Sequence, residues 1–126
     1  MTADVDWKLL CEDPAFVIKG RRVQVTLDRG RRHTVRVTPQ EDGWVLSGRS
    51  ADAKTLSTAG LTTADLLTRN RVMSMVGYSL GADGAASVTA WLPAAGITVA
   101  EFSFLVRLVA VESDRLEYAC SGRDDF

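Results

Sequence analysis

The stretch GITVAEFSFLVRLVAVESDRLEY, Gly96 to Tyr118, constrains the fold of this chain more than any other. On a wheel of 3.6 residues per turn, Phe102, Leu105, Val106, Val109 and Leu116 share one face. Phe104, Leu108, Val111 and Tyr118 share a nearly opposite face. Thr98, with Glu101 three residues on, forms a capping box that starts the helix. A helix that covers one side of a small domain needs only one apolar stripe. The first stripe is expected on a sheet. The second needs another partner, either the other helices of the chain or a second molecule.

The rest of the chain supplies the sheet. Residues 4–12 predict a short first helix with Trp7, Leu10 and Cys11 on its apolar side, stopped at Pro14. Val23, Val25 and Leu27 alternate with Gln24, Thr26 and Asp28. His33, Val35 and Val37 alternate with Thr34, Arg36 and Thr38. Period two marks strands. Trp44 to Arg49 follows the Asp42-Gly43 turn as a third, so the prediction is a three-stranded meander. Residues 50–61 read as a loop or a ragged helix start. A short helix is expected over Thr63 to Arg69, with Thr62 and Asp65 as its capping pair. Val72–Leu80 and Ala85–Leu92 then read as a hairpin turning at Asp83-Gly84 and ended by Pro93, which cannot donate to a ladder. Val76, Tyr78 and Leu80 on one arm and Val88, Ala90 and Leu92 on the other suggest a sheet apolar on both sides. The expected order is α-β-β-β-α-β-β-α. Strands grouped with strands favour an α+β fold with an antiparallel sheet, one domain over residues 1–126.

Bulk numbers exclude several classes. The chain has 126 residues, 46% hydrophobic and 25% charged, which suits one globular core rather than a disordered tail. A formal net charge of −1 argues against a general polyanion binder. No stretch approaches the ~20 apolar residues that span a bilayer, so no membrane partner is expected. MTADVDWKLL has acids where a signal peptide has bases, so the expected location is cytoplasmic.

No constellation of catalytic residues stands out. Cys11 and Cys120 are expected to be free thiols with no base nearby. Two cysteines and one histidine make a poor metal site, so neither metal nor cofactor is expected. His33 shares a face with Val35 and Val37 and reads as a packed or rim histidine. Ser47, Ser50 and Ser74 sit in no nucleophile-elbow pattern, and DRGRR and GADGAA fit no phosphate loop. Glu112, Asp114, Glu117, Asp124 and Asp125 read as a solvated end. Lys19, Arg21, Arg22, Arg29, Arg31, Arg32 and Arg36 face a lone Asp28 within the meander. They are either a basic surface, with Arg29, Arg31, Arg32 and Arg36 at its centre, or charged strand edges that block aggregation. No aromatic interleaves them, which disfavours nucleic acid.

NRVMSMVGYSLGADGAASVTAWLPAAGITVAEFSFLVRLVAVESDRLEY resembles the C-terminal half of YbjN-type proteins, which share the fold of class I type III secretion chaperones. The carrying features are Asn70 opening a strand, the Asp83-Gly84 turn, the Pro93-to-Thr98 connection, and a helix that begins with Glu101-Phe102 and reaches Asp114. The resemblance implies a small bacterial protein without enzymatic activity, often a homodimer, that binds a segment of a protein partner. Secretion chaperones tend to be strongly acidic, and the near-neutral charge here points to general protein binding instead. The expected interface residues are Phe104, Leu108, Val111 and Tyr118 on the helix, with Tyr78 and Trp91 on the hairpin. The alternative is a regulatory or nucleic-acid-binding module that uses the basic meander Lys19 to Arg36.

Overall fold

The computed structural model describes residues 6–62, 64–66 and 75–121, with the side chains of residues 29, 119 and 121 outside that description. One six-stranded antiparallel sheet runs in the order β1-β2-β3-β4-β6-β5. Its strands are β1 (Phe16–Lys19), β2 (Arg22–Thr26), β3 (Arg32–Pro39), β4 (Gly43–Ala51), β5 (Gly77–Leu80) and β6 (Ala86–Pro93). Helix α1 (Ala53–Ala59) follows β4, and the long helix α2 (Val99–Ser121) is the last described element.

Three sequence expectations change. The first helix is a single 3-10 turn, Trp7–Leu10, capped by the Asp6 carboxylate, which accepts from the Lys8 N–H at 3.0 Å. Trp7 and Leu10 are buried as expected. The meander has four strands, because Phe16–Lys19 pairs with Arg22–Thr26. Gly20, at φ 63, makes the two-residue turn between them. Residues 50–61 hold a complete helix. Asp52 caps its start by accepting from the Thr55 N–H at 2.7 Å, and left-handed Gly60 ends it. Of the helix expected over Thr63 to Arg69, residues 64–66 are described and are helical. The Thr62–Asp65 capping pair is formed in both directions. The remainder of that helix, and Val72 to Ser74 of the hairpin, lie outside the described residues.

Helix α2 lies across β4, flanked by β3 and β6. Its first stripe does what the pattern demands: Phe102, Leu105, Val106, Val109 and Leu116 are all buried. The first four meet Val23, Val25, Val35, Val37, Trp44, Leu46, Val88 and Leu92 from the inner face of the sheet. Phe102 stands edge-on to Trp44, with ring centroids 5.6 Å apart, and stacks against Trp7 at 6.4 Å. Ala51, Leu56, Leu66, Ala86 and Leu116 form a smaller cluster under α1. At β4 the helix comes close, because Gly48 has no side chain. The Ser113 hydroxyl fills that space and donates to the Gly48 carbonyl at 3.2 Å.

Candidate protein-binding surface

The second stripe of α2 faces away from the sheet. Phe104 is 54% exposed and Tyr118 is 55% exposed. Leu108 and Val111 between them are half-buried, and Leu108 touches the main core. Among the described residues, no helix of the chain covers the two aromatic ends of the stripe.

Beside the stripe, an open groove of about 490 Å³ separates α2 from the β2–β3 connection. Leu27, Arg31, Arg107, Val111, Asp114 and Tyr118 are among its walls. Arg31 of the expected basic surface turns into it. Its guanidinium pairs with the Asp114 carboxylate at 2.8 Å and lies 5.3 Å from the centre of the Tyr118 ring.

The C-terminal acids depart from expectation. Glu112 is half-buried and pairs with Arg115 at 3.1 Å. Asp114 and Glu117 are buried, together with His33. One ligand atom from each of these three lies within 4.8 Å of the others. The sequence carried a signal for this. Val106, Ala110, Ser113, Asp114 and Glu117 follow the i, i+4, i+7, i+8, i+11 spacing of one helical face, so the two acids continue the buried stripe. Asp124 and Asp125 lie outside the described residues. His33 is packed, as its alternation with polar neighbours implies. Its Nε2 bonds to the Arg49 carbonyl oxygen at 2.9 Å.

The back of the sheet is polar rather than apolar, the ordinary outcome for an antiparallel sheet covered on one side. Register places Arg22 opposite Arg36, Gln24 opposite Thr34, and Ser47 opposite Thr89 on this face. Arg22, Thr34, Arg36, Ser47, Arg49 and Ser87 line a shallow depression of about 530 Å³. Arg32 lies on the same strand face as Arg36, and Arg49 pairs with Asp83 at 3.6 Å. Arg49 is the basic residue that the sequence reading left out. Trp91, 57% exposed, sits opposite Val45 on this back face. Tyr78 is on the other side, opposite Val88 and packed against both cores. The expected interface residues therefore fall in three places: the outer face of α2, the back of the sheet at Trp91, and the core at Tyr78.

Neither Cys11 nor Cys120 is in a disulfide. Burial, with Asp6 close by, pushes the Cys11 thiol up to about 11, which keeps it protonated and unreactive at neutral pH. The Ala15 N–H, at 2.8 Å, and the Arg107 guanidinium hold the Asp13 carboxyl below its ordinary range. The Thr55 side chain and N–H do the same for Asp52. A carboxyl depressed in the folded state contributes stability that is complete above the unfolded value near ~4 and is lost as pH falls through the folded value. The denaturant midpoint is therefore expected to fall between pH 5 and pH 3, roughly the carboxylate range, and less steeply in Asp13→Asn. An unchanged slope in that variant would remove Asp13 from the account.

No protein-family model matches the sequence, and no curated protein matches it. Solved structures do. A chain of the heterodimeric ExoU–SpcU complex from the type III secretion system of Pseudomonas aeruginosa is similar with TM-score 0.57 and 15% identity, over 83% of this chain and 87% of that one. A chain of the complex between the Yersinia pestis type III secretion chaperone SycH and a stable fragment of YscM2 is similar with TM-score 0.53 and 13% identity, over 86% of this chain and 90% of that one. The likeness shows the fold: the antiparallel sheet packed with helices found in these type III secretion complexes.

Proposed function

We propose that this chain is a non-enzymatic, chaperone- or adaptor-like module that dimerises and binds a segment of a partner protein. The observation that carries the reading is the outer face of α2, where Phe104 and Tyr118 stay exposed on a helix whose other stripe is fully used. Fully burying an aromatic or aliphatic side chain of this size is worth roughly 1.5–3 kcal/mol, so a second copy of the chain set against this face gains from each one. The fold supports the reading, since both structural neighbours come from complexes with a protein partner. The Asp-Gly hairpin turn and the long capped helix fit a YbjN-like bacterial member of this group, and a cytoplasmic location goes with that reading.

The partner segment is placed on the sheet. Strand β1 is an open edge with Val17 and Ile18 exposed, and a peptide can add there as a further strand. Trp91 offers an aromatic anchor on the back face. Phe104→Asp with Tyr118→Asp is expected to halve the mass measured by light scattering while the melting temperature stays close to that of the parent. Trp91→Asp is expected to leave the mass alone and weaken partner capture. A parent chain that is monomeric at high protein concentration would sink the dimer.

A second reading rests on Arg22 and Arg36. Like charges directly opposite each other on neighbouring strands are destabilising, yet neither β2 nor β3 carries an acidic residue to relieve them. Such a face suits a polyanion. Salt-dependent binding to generic duplex DNA, lost in Arg22→Glu with Arg36→Glu, would favour a nucleic-acid module. Binding of an acidic peptide alone would keep the protein-binding one.

A further inference from the structure

We propose that His33, Asp114 and Glu117 bind one divalent transition-metal ion at the base of the groove between α2 and the β2–β3 connection. The site is independent of the partner-binding reading. It revises the expectation of no metal, because its ligands are acids that the sequence placed in solvent.

The donor set is the first argument. Two carboxylates and an imidazole, with ligand atoms no more than 4.8 Å apart, need side-chain movements of roughly 1 Å or less to reach metal–ligand distances of about 2.0–2.2 Å. Three protein ligands leave the remaining coordination positions to water from the groove, where Asp114 forms part of the wall. An imidazole with so few oxygens suits manganese, iron, cobalt or zinc better than calcium or magnesium.

The histidine tautomer is the second argument. A backbone carbonyl only accepts, so His33 Nε2 carries the proton in its 2.9 Å bond to Arg49. Nδ1 is then the atom able to offer a lone pair. An imidazole oriented through its other nitrogen by a backbone carbonyl is the usual support of a metal-bound histidine.

Charge is the third. All three side chains are buried, and buried carboxylates need compensation. Arg31 supplies one positive charge, to Asp114. A divalent ion balances both acids with His33 neutral and frees Arg31, whose side chain is 38% exposed at the groove, to swing out. Arg31 thus acts as the latch an entering ion displaces.

The test uses the full chain after chelator treatment, titrated separately with Mn²⁺, followed by the paramagnetic resonance of free Mn²⁺, and with Co²⁺, followed by visible absorption. One ion per chain is expected, with Co²⁺ ligand-field bands and no thiolate charge-transfer band. His33→Gln and Glu117→Gln are each expected to weaken binding at least about tenfold, and Arg31→Ala to strengthen it. The proposal is overturned if the parent binds neither ion at millimolar concentration. It is also overturned if a thiolate band appears, or if either folded variant binds as tightly as the parent. Where those variants fail to fold, the parent's stoichiometry and spectrum and the Arg31→Ala titration decide.

Discussion

Phe102→Ala is expected to lower folding stability by about 3–5 kcal/mol, the upper range for truncating a buried aromatic. Phe102 is fully buried between two tryptophans from distant parts of the chain. Trp44 meets it edge-on at 85° and Trp7 stacks on it at 23°, so two aromatic contacts go with the ring. The surroundings collapse poorly, because Trp44 is fixed at the end of an inner strand paired on both sides while Trp7 belongs to the 3-10 turn that closes this end of the core. For a small domain with a total stability of about 5–15 kcal/mol, the loss removes from about a fifth to all of the folding free energy. Denaturant unfolding followed by tryptophan fluorescence measures it. A loss under about 1 kcal/mol would mean that the ring is not the keystone of this end. Phe102→Leu, which keeps most of the volume, is expected to fall well short of the alanine effect.

That ring was legible in the sequence, and so was most of what surrounds it. Stripe one of α2 announces itself through repeated apolar residues at helical spacing, and Thr98 marks the start: its hydroxyl accepts from the Glu101 N–H at 3.1 Å. Strands β2, β3 and β6 show clean alternation because one face packs and the other is wet. Strand β1 has no such alternation. It is a sheet edge, only Phe16 of its four residues is buried, and FVIK alone therefore carries no period. Its one signal was Gly20, two residues short of the next strand. Helix α1 was hidden for a similar reason. Only Leu56 is buried in it, so there is no stripe to read, and the signals were its two ends, Asp52 and Gly60.

The candidate sites were harder to read because tertiary partners decide them. Phe104 and Tyr118 could be assigned to a second stripe from spacing alone, but whether anything covers them depends on where the other helices land. Whether Asp114 is buried depends on Arg31, a distant residue that reaches it only once β3 is under the helix. Tyr78 shows the reverse failure. Its alternation with Leu80 was right, but the side it faces is set by its pairing with Val88, which puts it in the core. The basic meander divides for the same reason: Arg31 turns to the helix while Arg32 and Arg36 face the back of the sheet, and Arg29 lies outside the described side chains.

Gly43→Ala is expected to cost at least about 3 kcal/mol, the severe end of overpacking. A Cβ at Gly43 would sit 1.9 Å from the Leu92 carbonyl oxygen, 2.9 Å from its carbon and 3.0 Å from Pro93 Cα. All three are backbone atoms, so no rotamer change relieves the contact. Movement of the strand is also resisted. Gly43 is paired with Pro93, its carbonyl accepts from the Gln40 N–H at 2.8 Å, and the Asp42 carbonyl accepts from the Ala94 N–H at 2.8 Å. Making room means breaking the end of the β4–β6 ladder, next to Trp44 and Leu92 in the main core. Gly20→Ala is the matched control. Its Cβ would meet nothing within 4 Å, but φ is 63, so only the left-handed backbone penalty of roughly 1–2 kcal/mol applies. The expected order is therefore Gly43→Ala well below Gly20→Ala in denaturant midpoint. The same order is expected in soluble yield, since a chain that loses this ladder exposes two paired strands at once. If Gly43→Ala unfolds with the midpoint of Gly20→Ala or above it, the close approach of β4 to β6 at this turn is wrong.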